Sequence, residues 1–279
     1  MPLHVVQGTH GEPRLGIDLT IGSDPVRVLV DTGSSGLRLL AKALRPDSAR
    51  RSGHSAGGGY GSGLRLQGEE AYASLTIGGA HGDGVPIELV DSYHFADNGP
   101  QGTPEMFGGA FPGILGINLD SPPRGACCMS PLPGLSGGIG KRYILRASFR
   151  APQLILNPDD ALAQTFTMAD VGDNGWPQGC ITVDGLLTYD FCGEVLFDTG
   201  SPGLTVLVTN AVDGTGYAPP GAVAHLRLAQ WDHDFTAGRG VRIDVRQGGF
   251  PAIIVGLSAL QQIDLLFDFD HRQIGVRSR

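Results

Sequence analysis

The chain carries the segment VLVDTGSSGLRLL at residues 28–40 and repeats it as VLFDTGSPGLTVL at residues 195–207. Over the ten positions that begin at Asp31 and Asp198, seven are identical, and the two aspartates stand 167 positions apart. That interval is too long for a solenoid repeat and suits one copy in each of two similar domains. Each copy is an apolar, β-branched run that ends abruptly in an acid and continues as Thr-Gly-Ser. An acid directly after such a run is normally driven out to water. Two of them, on duplicated segments, point to carboxylates brought together for chemistry. The structural alternative is that each Asp-Thr-Gly merely caps a strand-to-turn junction, the acid accepting from its own following amides.

A second echo extends the duplication. FPGILGI (111–117) and PAIIVGL (251–257) share a hydrophobic-hydrophobic-Gly-hydrophobic pattern, one downstream of each acid. Glycine there lets another backbone approach closely. Between and around these segments, runs such as LGIDLTIG, AYASLTIGG, VPIELVD, ITVDGLL, VAHLRLA and QIGVR recur about every 8–15 residues and alternate apolar with polar, the pattern of half-buried strands. Helical signal is weak: 136–149 and 256–263 are each a short helix or a turn. The expected fold class is all-β. Asn157-Pro158-Asp159-Asp160 and DVGDNGWPQG break the pattern between the repeats, which predicts a first lobe over 1–160 and a second over 161–279.

Bulk properties narrow the function. The 279 residues include 44 Gly and 19 Pro, favouring turns and short strands, and the net charge is −8 without a basic run. That disfavours nucleic acid and anionic membrane surfaces as partners. No apolar stretch approaches the roughly 20 residues that span a bilayer. The N-terminus lacks a charged segment followed by an apolar one, so a cytoplasmic location is expected, with a periplasmic or secreted one if a leader is removed. The four cysteines read as free buried thiols; Cys127 and Cys128 are adjacent, while Cys180 and Cys192 flank a hairpin-like segment and have the option of facing one another. Eight scattered histidines (His4, His10, His54, His81, His94, His225, His233, His271) show no ligand spacing, so no metal is expected. Trp231-Asp232-His233-Asp234 reads as a solvated loop and Trp176 as a core anchor.

Paired carboxylates explain the repeat chemically. Two of them within hydrogen-bonding distance cannot both ionise cheaply, so one proton is shared over a wide acidic range. The ionised partner takes a proton from water while the protonated one donates to a substrate carbonyl. Such a site needs an acid at a fixed strand end, a neighbouring glycine for close approach of substrate, and hydroxyls to orient the carboxylate. Asp31-Thr32-Gly33-Ser34 and Asp198-Thr199-Gly200-Ser201 supply each of these.

On these residues the chain resembles the pepsin-like aspartic peptidases, in order and over nearly its whole length. GEPRLGIDLTIGSDPVRVLVDTGSSGL is similar to the strands that lead into the first catalytic motif, and WPQGCITVDGLLTYDFCGEVLFDTGSPGL to the approach to the second. Tyr60-Gly61-Ser62-Gly63 with GEEAYASLTIGG looks like the flap hairpin, and IIVGLSALQQIDLLFDFDHRQIGVRS like the family's C-terminal ending. The resemblance implies a bilobal fold of two similar β-barrel-like lobes with a cleft between them. It implies Asp31 and Asp198 as the catalytic dyad, Thr32 and Thr199 interlocked beneath it, and Ser34 and Ser201 bonded to the outer carboxylate oxygens. Gly33 and Gly200 would face substrate backbone, and Tyr60, Gly61 and Ser62 would cover the bound peptide. The implied activity is endopeptidase cleavage at acidic pH of an extended peptide or protein substrate, by a monomer without cofactor.

The chain also departs from the family. Arg38 stands where a tryptophan usually supports the flap tyrosine, so it either stacks on Tyr60 or points to solvent. No strand is evident before Tyr60, only 30 residues precede Asp31, which leaves no room for a prosegment, and Pro202 replaces a small hydroxyl residue. From Asp198 to Gly256 there are 58 residues, against 85 from Asp31 to Gly116. These departures motivate the alternative of a catalytically weak binding or inhibitor module.

Overall fold

A computed structural model describes residues 1–9, 11–96, 106–120, 127–209, 215–238 and 240–279; His10 lies outside them. The fold is all-β, as the alternating runs require. The chain divides into two compact units, Met1–Lys141 and Arg142–Arg279. The division falls earlier than residue 160 because the strands that follow Lys141 pair with the C-terminal strands of the second unit.

The first unit contains β1 (His4–Gln7), β2 (Pro13–Ile21), β3 (Asp24–Asp31), β4 (Ser35–Leu40), β5 (Arg50–Gly59), β6 (Leu64–Ile77), β7 (Ala80–Phe95) and β8 (Gly113–Ile117). They form one sheet in the order β1-β2-β3-β8-β4-β7-β6-β5, and a further β2–β6 ladder closes six of them into a ring. β8 reads GILGI and is buried throughout, as befits a strand covered on both faces. β6 instead alternates between buried and more exposed positions at both its ends. The β6–β7 hairpin turns on Gly78 and Gly79, with φ of +53° and +89° between the paired Ile77 and Ala80. Positive φ at both central residues is what a two-residue hairpin turn matched to strand twist demands. The core beneath β6 and β8 holds Leu29, Leu64, Leu66, Val90, Phe107, Phe111 and Ile114.

The second unit contains β9 (Arg142–Arg146), β10 (Gln153–Leu156), β11 (Thr167–Asp170), β12 (Gln178–Val183), β13 (Leu187–Asp198), β14 (Leu204–Val208), β15 (Gly216–Tyr217), β16 (Val223–Leu228), β17 (Trp231–Thr236), β18 (Ile243–Gln247), β19 (Ala252–Gly256), β20 (Ile263–Asp268) and β21 (Gln273–Ser278). Its eight-stranded sheet runs β15-β18-β14-β19-β13-β12-β16-β17 and its five-stranded sheet β10-β9-β20-β21-β11. The two sheets are tied where Trp231 Nε1 donates to Ser278 Oγ at 3.0 Å, with His233 Nδ1 also on that hydroxyl and its Nε2 on Gln262. The WDHD stretch is therefore strand β17 rather than a loop. Its histidine has both ring nitrogens engaged.

Several expectations change in detail. Residues 136–149 split into a 3-10 turn with positive φ at Gly137 and Gly138, and strand β9. Residues 259–262 form a 3-10 turn. A strand, β5, does precede Tyr60. Trp176 is half-buried and leans on exposed Phe250 at 6.2 Å instead of anchoring a core. The cysteines are not free thiols. The β12–β13 register places Cys180 opposite Cys192, and they form a disulfide with Cα atoms 4.0 Å apart. Cys127 and Cys128 also bring their sulfurs together.

One motif occurs twice. β8 lies between β3 and β4, parallel to the first and antiparallel to the second; β19 lies likewise between β13 and β14. Asp31 is register partner to Gly116, and Asp198 to Gly256. A methyl group on Gly116 would sit 2.6 Å from the Ser35 carbonyl carbon and 2.7 Å from Ser34 O; one on Gly256 would sit 2.6 Å from Ser201 O and meet Gly203 O as well. Those obstacles are backbone and cannot swing aside. Gly256→Ala is therefore expected to destabilise the chain by about 2 kcal/mol or more. Gly249→Ala, in open space, should stay within about 0.5 kcal/mol of the parent in equilibrium urea unfolding. Equal midpoints for the two variants would refute the close-approach role.

Candidate functional site

Each aspartate lies at the end of a strand, where the chain turns through Thr-Gly-Ser before entering the next strand. In the first unit the Gly33 amide donates to Asp31 Oδ1 at 2.9 Å and the Ser34 hydroxyl to Oδ2 at 2.6 Å. In the second the Gly200 amide donates to Asp198 Oδ1 at 2.7 Å and the Ser201 hydroxyl to Oδ2 at 2.5 Å. The two carboxylates thus have the same donors on the same oxygens. An acid accepting from the amide two residues on is the local geometry of an Asx turn, so the capping alternative describes half of what each loop does. The added hydroxyl fixes the second oxygen, and charge-assisted bonds of this kind are short and strong.

The loops are held from behind by the glycine-bearing strands. Asn118 N donates to Ser34 O at 2.9 Å in the first unit. In the second, Gly256 N donates to Gly203 O at 2.9 Å and Leu257 N to Ser201 O at 2.7 Å. Thr32 and Thr199 are both almost fully buried, and so is Asp31.

The first unit surrounds its loop with further charge. Arg38 and Glu88 are register partners in the parallel β4–β7 pair, and Arg38 Nε donates to Glu88 Oε2 at 3.0 Å with the Glu88 side chain wholly buried. The Arg38 guanidinium also donates to Ser35 O and lies 5.9 Å from the centre of the Tyr60 ring. Arg38 thus turns toward the tyrosine and not to solvent. Asp120, just beyond β8, accepts from the Ser35 hydroxyl. Burial raises the Asp120 carboxyl above its ordinary value, against the pull of Ser35 and Arg38 and with Asp31 adding to the rise. Burial likewise raises the Glu88 carboxyl, against the pull of Arg38.

Tyr60 sits at the β5–β6 turn. Its amide donates to Leu64 O and its carbonyl accepts from the Gly63 amide, both at 2.9 Å. The ring packs on the core cluster and meets Phe107 edge-on at 6.3 Å. The hydroxyl is enclosed, with the Arg38 guanidinium beside it. Burial pushes the phenol far above its usual value, and Asp31 lies close enough to add to that shift. Gly61 and Ser62 are exposed at the tip.

Within the first unit Asp31 is bonded to Gly33 and Ser34, and its charge reaches the Tyr60 phenol; within the second, Asp198 is bonded to Gly200 and Ser201 in the matching loop. Phe111 is a core residue under the first loop's strands. Sequence reasoning missed Glu88 and Asp120. Both are acids inside or at the end of an apolar run, VPIELV and ILGINLD, the same signal that singles out Asp31. Among the described residues, no group of three or more His, Cys, Asp or Glu side chains is placed to hold a metal. No family model matches the chain, and no curated protein matches its sequence.

The raised Glu88 carboxyl has a stability consequence. Its folded-state value lies above the unfolded one, so folding takes up a proton in that window and is favoured as pH falls through it. Relative to Glu88→Gln, the parent should gain stability as pH drops through the raised Glu88 value toward the ordinary carboxyl value of 4.5 and gain no more below it. Chemical denaturation of both proteins across that range measures the difference; a parent that loses ground to the variant on acidification contradicts it.

Proposed function

We propose that the chain is an aspartic endopeptidase of the pepsin type, bilobal, in which Asp31 and Asp198 act as a pair. The observation that carries this reading is the duplicated cradle: two Asp-Thr-Gly-Ser loops, each holding one carboxylate oxygen by the glycine amide and the other by the serine hydroxyl. Each loop is backed by a strand whose glycine admits it. Structural caps have no need to be built twice with the same donors on the same oxygens.

In the proposed mechanism the two carboxylates share one proton. The ionised one takes a proton from a water whose oxygen bonds to the scissile carbonyl carbon. The protonated one donates to the carbonyl oxygen and stabilises the tetrahedral species. Collapse breaks the C–N bond as the leaving amine receives a proton. No covalent enzyme intermediate and no cofactor enters. The substrate is an extended peptide, added as a strand and held through its backbone. It lies against Gly33 and Gly200, with Tyr60, Gly61 and Ser62 covering it. The Cys180–Cys192 bond supports an oxidising compartment in place of the cytoplasm.

A second reading, a weakly catalytic binding or inhibitor module, is favoured by one observation, the buried Arg38–Glu88 pair behind Tyr60. Digestion of an unfolded protein substrate separates the two. Asp31→Asn and Asp198→Asn are each expected to lower kcat/KM by about 1000-fold or more while the unfolding transition stays in place. The parent's pH–rate profile should peak below neutrality. Activity that survives both substitutions, or that rises steadily into the alkaline range, overturns the dyad.

A further inference from the structure

We propose that Arg38 is a positioning residue for the hairpin tyrosine, fixed for that task by its buried ion pair with Glu88. Its kinetic consequence rests on the peptidase reading; its structural consequence does not.

The duplication supplies the comparison. Arg38 is the seventh residue after Asp31, and Thr205 is the seventh after Asp198. Each is register partner, across a parallel ladder, to a buried acid: Arg38 to Glu88 and Thr205 to Asp244. In the second unit the acid accepts from the Thr205 hydroxyl at 2.9 Å and pairs at 3.0 Å with Arg246 of its own strand. A buried acid is common to both units, and in the second the partner strand meets it with a short hydroxyl while the arginine comes from the acid's own strand. An arginine on the partner strand is an addition specific to the first unit.

The additional reach has one aromatic destination. The Arg38 side chain is 11% exposed. Its guanidinium is held by Glu88, by Ser35 O and, at 3.5 Å, by Cys127 O. The guanidinium so fixed has its carbon over the Tyr60 ring at 5.9 Å, and Phe107 meets that ring edge-on. A desolvated cation against an aromatic face attracts more strongly than an exposed one, and a planar guanidinium stacks where an ammonium cannot. The Tyr60 hydroxyl is enclosed, and Arg38 is the cation beside it. The cation and the apolar contacts are what locate the ring beside Asp31.

Hydrogen exchange and kinetics on the whole chain test this. Arg38→Thr copies the second unit's solution. It should speed exchange of the Tyr60 and Gly63 amides by about tenfold or more and leave amides of Arg142–Arg279 unchanged. Arg38→Lys keeps the ion pair but loses the planar fork and should fall between; it also decides the matter if Arg38→Thr does not fold. In cleavage assays Arg38→Thr should lower kcat/KM by about tenfold when Tyr60 is present and by less than about twofold in a Tyr60→Ala background. Parent-like exchange in Arg38→Lys, or the same kinetic loss with and without Tyr60, overturns the proposal. A parent that cleaves nothing, with parent and Asp31→Asn alike, instead removes the peptidase reading and leaves exchange to decide the positioning role.

Discussion

The missing side chains at Gly116 and Gly256 set the geometry on which the rest depends. Each lies on a strand that runs parallel to an aspartate-bearing strand and directly opposite the acid. Without a Cβ, β8 and β19 come close enough to touch the backbone of the loop that follows the acid. The loop is then pinned between two strands and its amide and hydroxyl point back at the carboxylate. Any larger residue would meet the backbone of that loop and press it outward.

Much of this was legible because it is local. The repeated Asp-Thr-Gly-Ser, the two hydrophobic-Gly segments and the alternating runs are patterns within a few residues, and they map onto β3, β8, β13 and β19 and their turns. What escaped was what depends on partners. β5 reads RRSGHSAGGG and is almost devoid of β-branched or aromatic residues; it is extended because β6 supplies a ladder, not by propensity. β17 looks like a loop by its charges, yet Trp231 and Phe235 are its buried face. The boundary near 160 follows a Pro-Asp break inside the second unit, because β10 pairs with β9 and β9 pairs with β20, more than 100 residues away. The disulfide depends on a register that spacing alone leaves open.

The site was legible to a similar degree and for similar reasons. The carboxylates and their hydroxyls lie within four residues of each other in sequence. Glu88 lies 50 residues from Arg38, and its pairing needs the β4–β7 ladder. The duplication then shows how one scaffold accommodates different chemistry. At equivalent positions it carries Arg38 with Glu88 in one unit and Thr205 with Asp244 in the other. A buried charge pair is weak support for stability, since desolvation offsets much of the attraction. Its arginine comes from the strand after the aspartate loop in the first unit alone, which fits a local role.

The donors to each carboxylate come from residues two and three positions further along the same chain segment, and the strand that backs the loop belongs to the same unit. The orientation of each carboxylate relative to its own loop is therefore set within its own unit, much as a machined jaw carries its own alignment. Should one unit shift as a rigid body, its carboxylate would travel with both bonds unbroken.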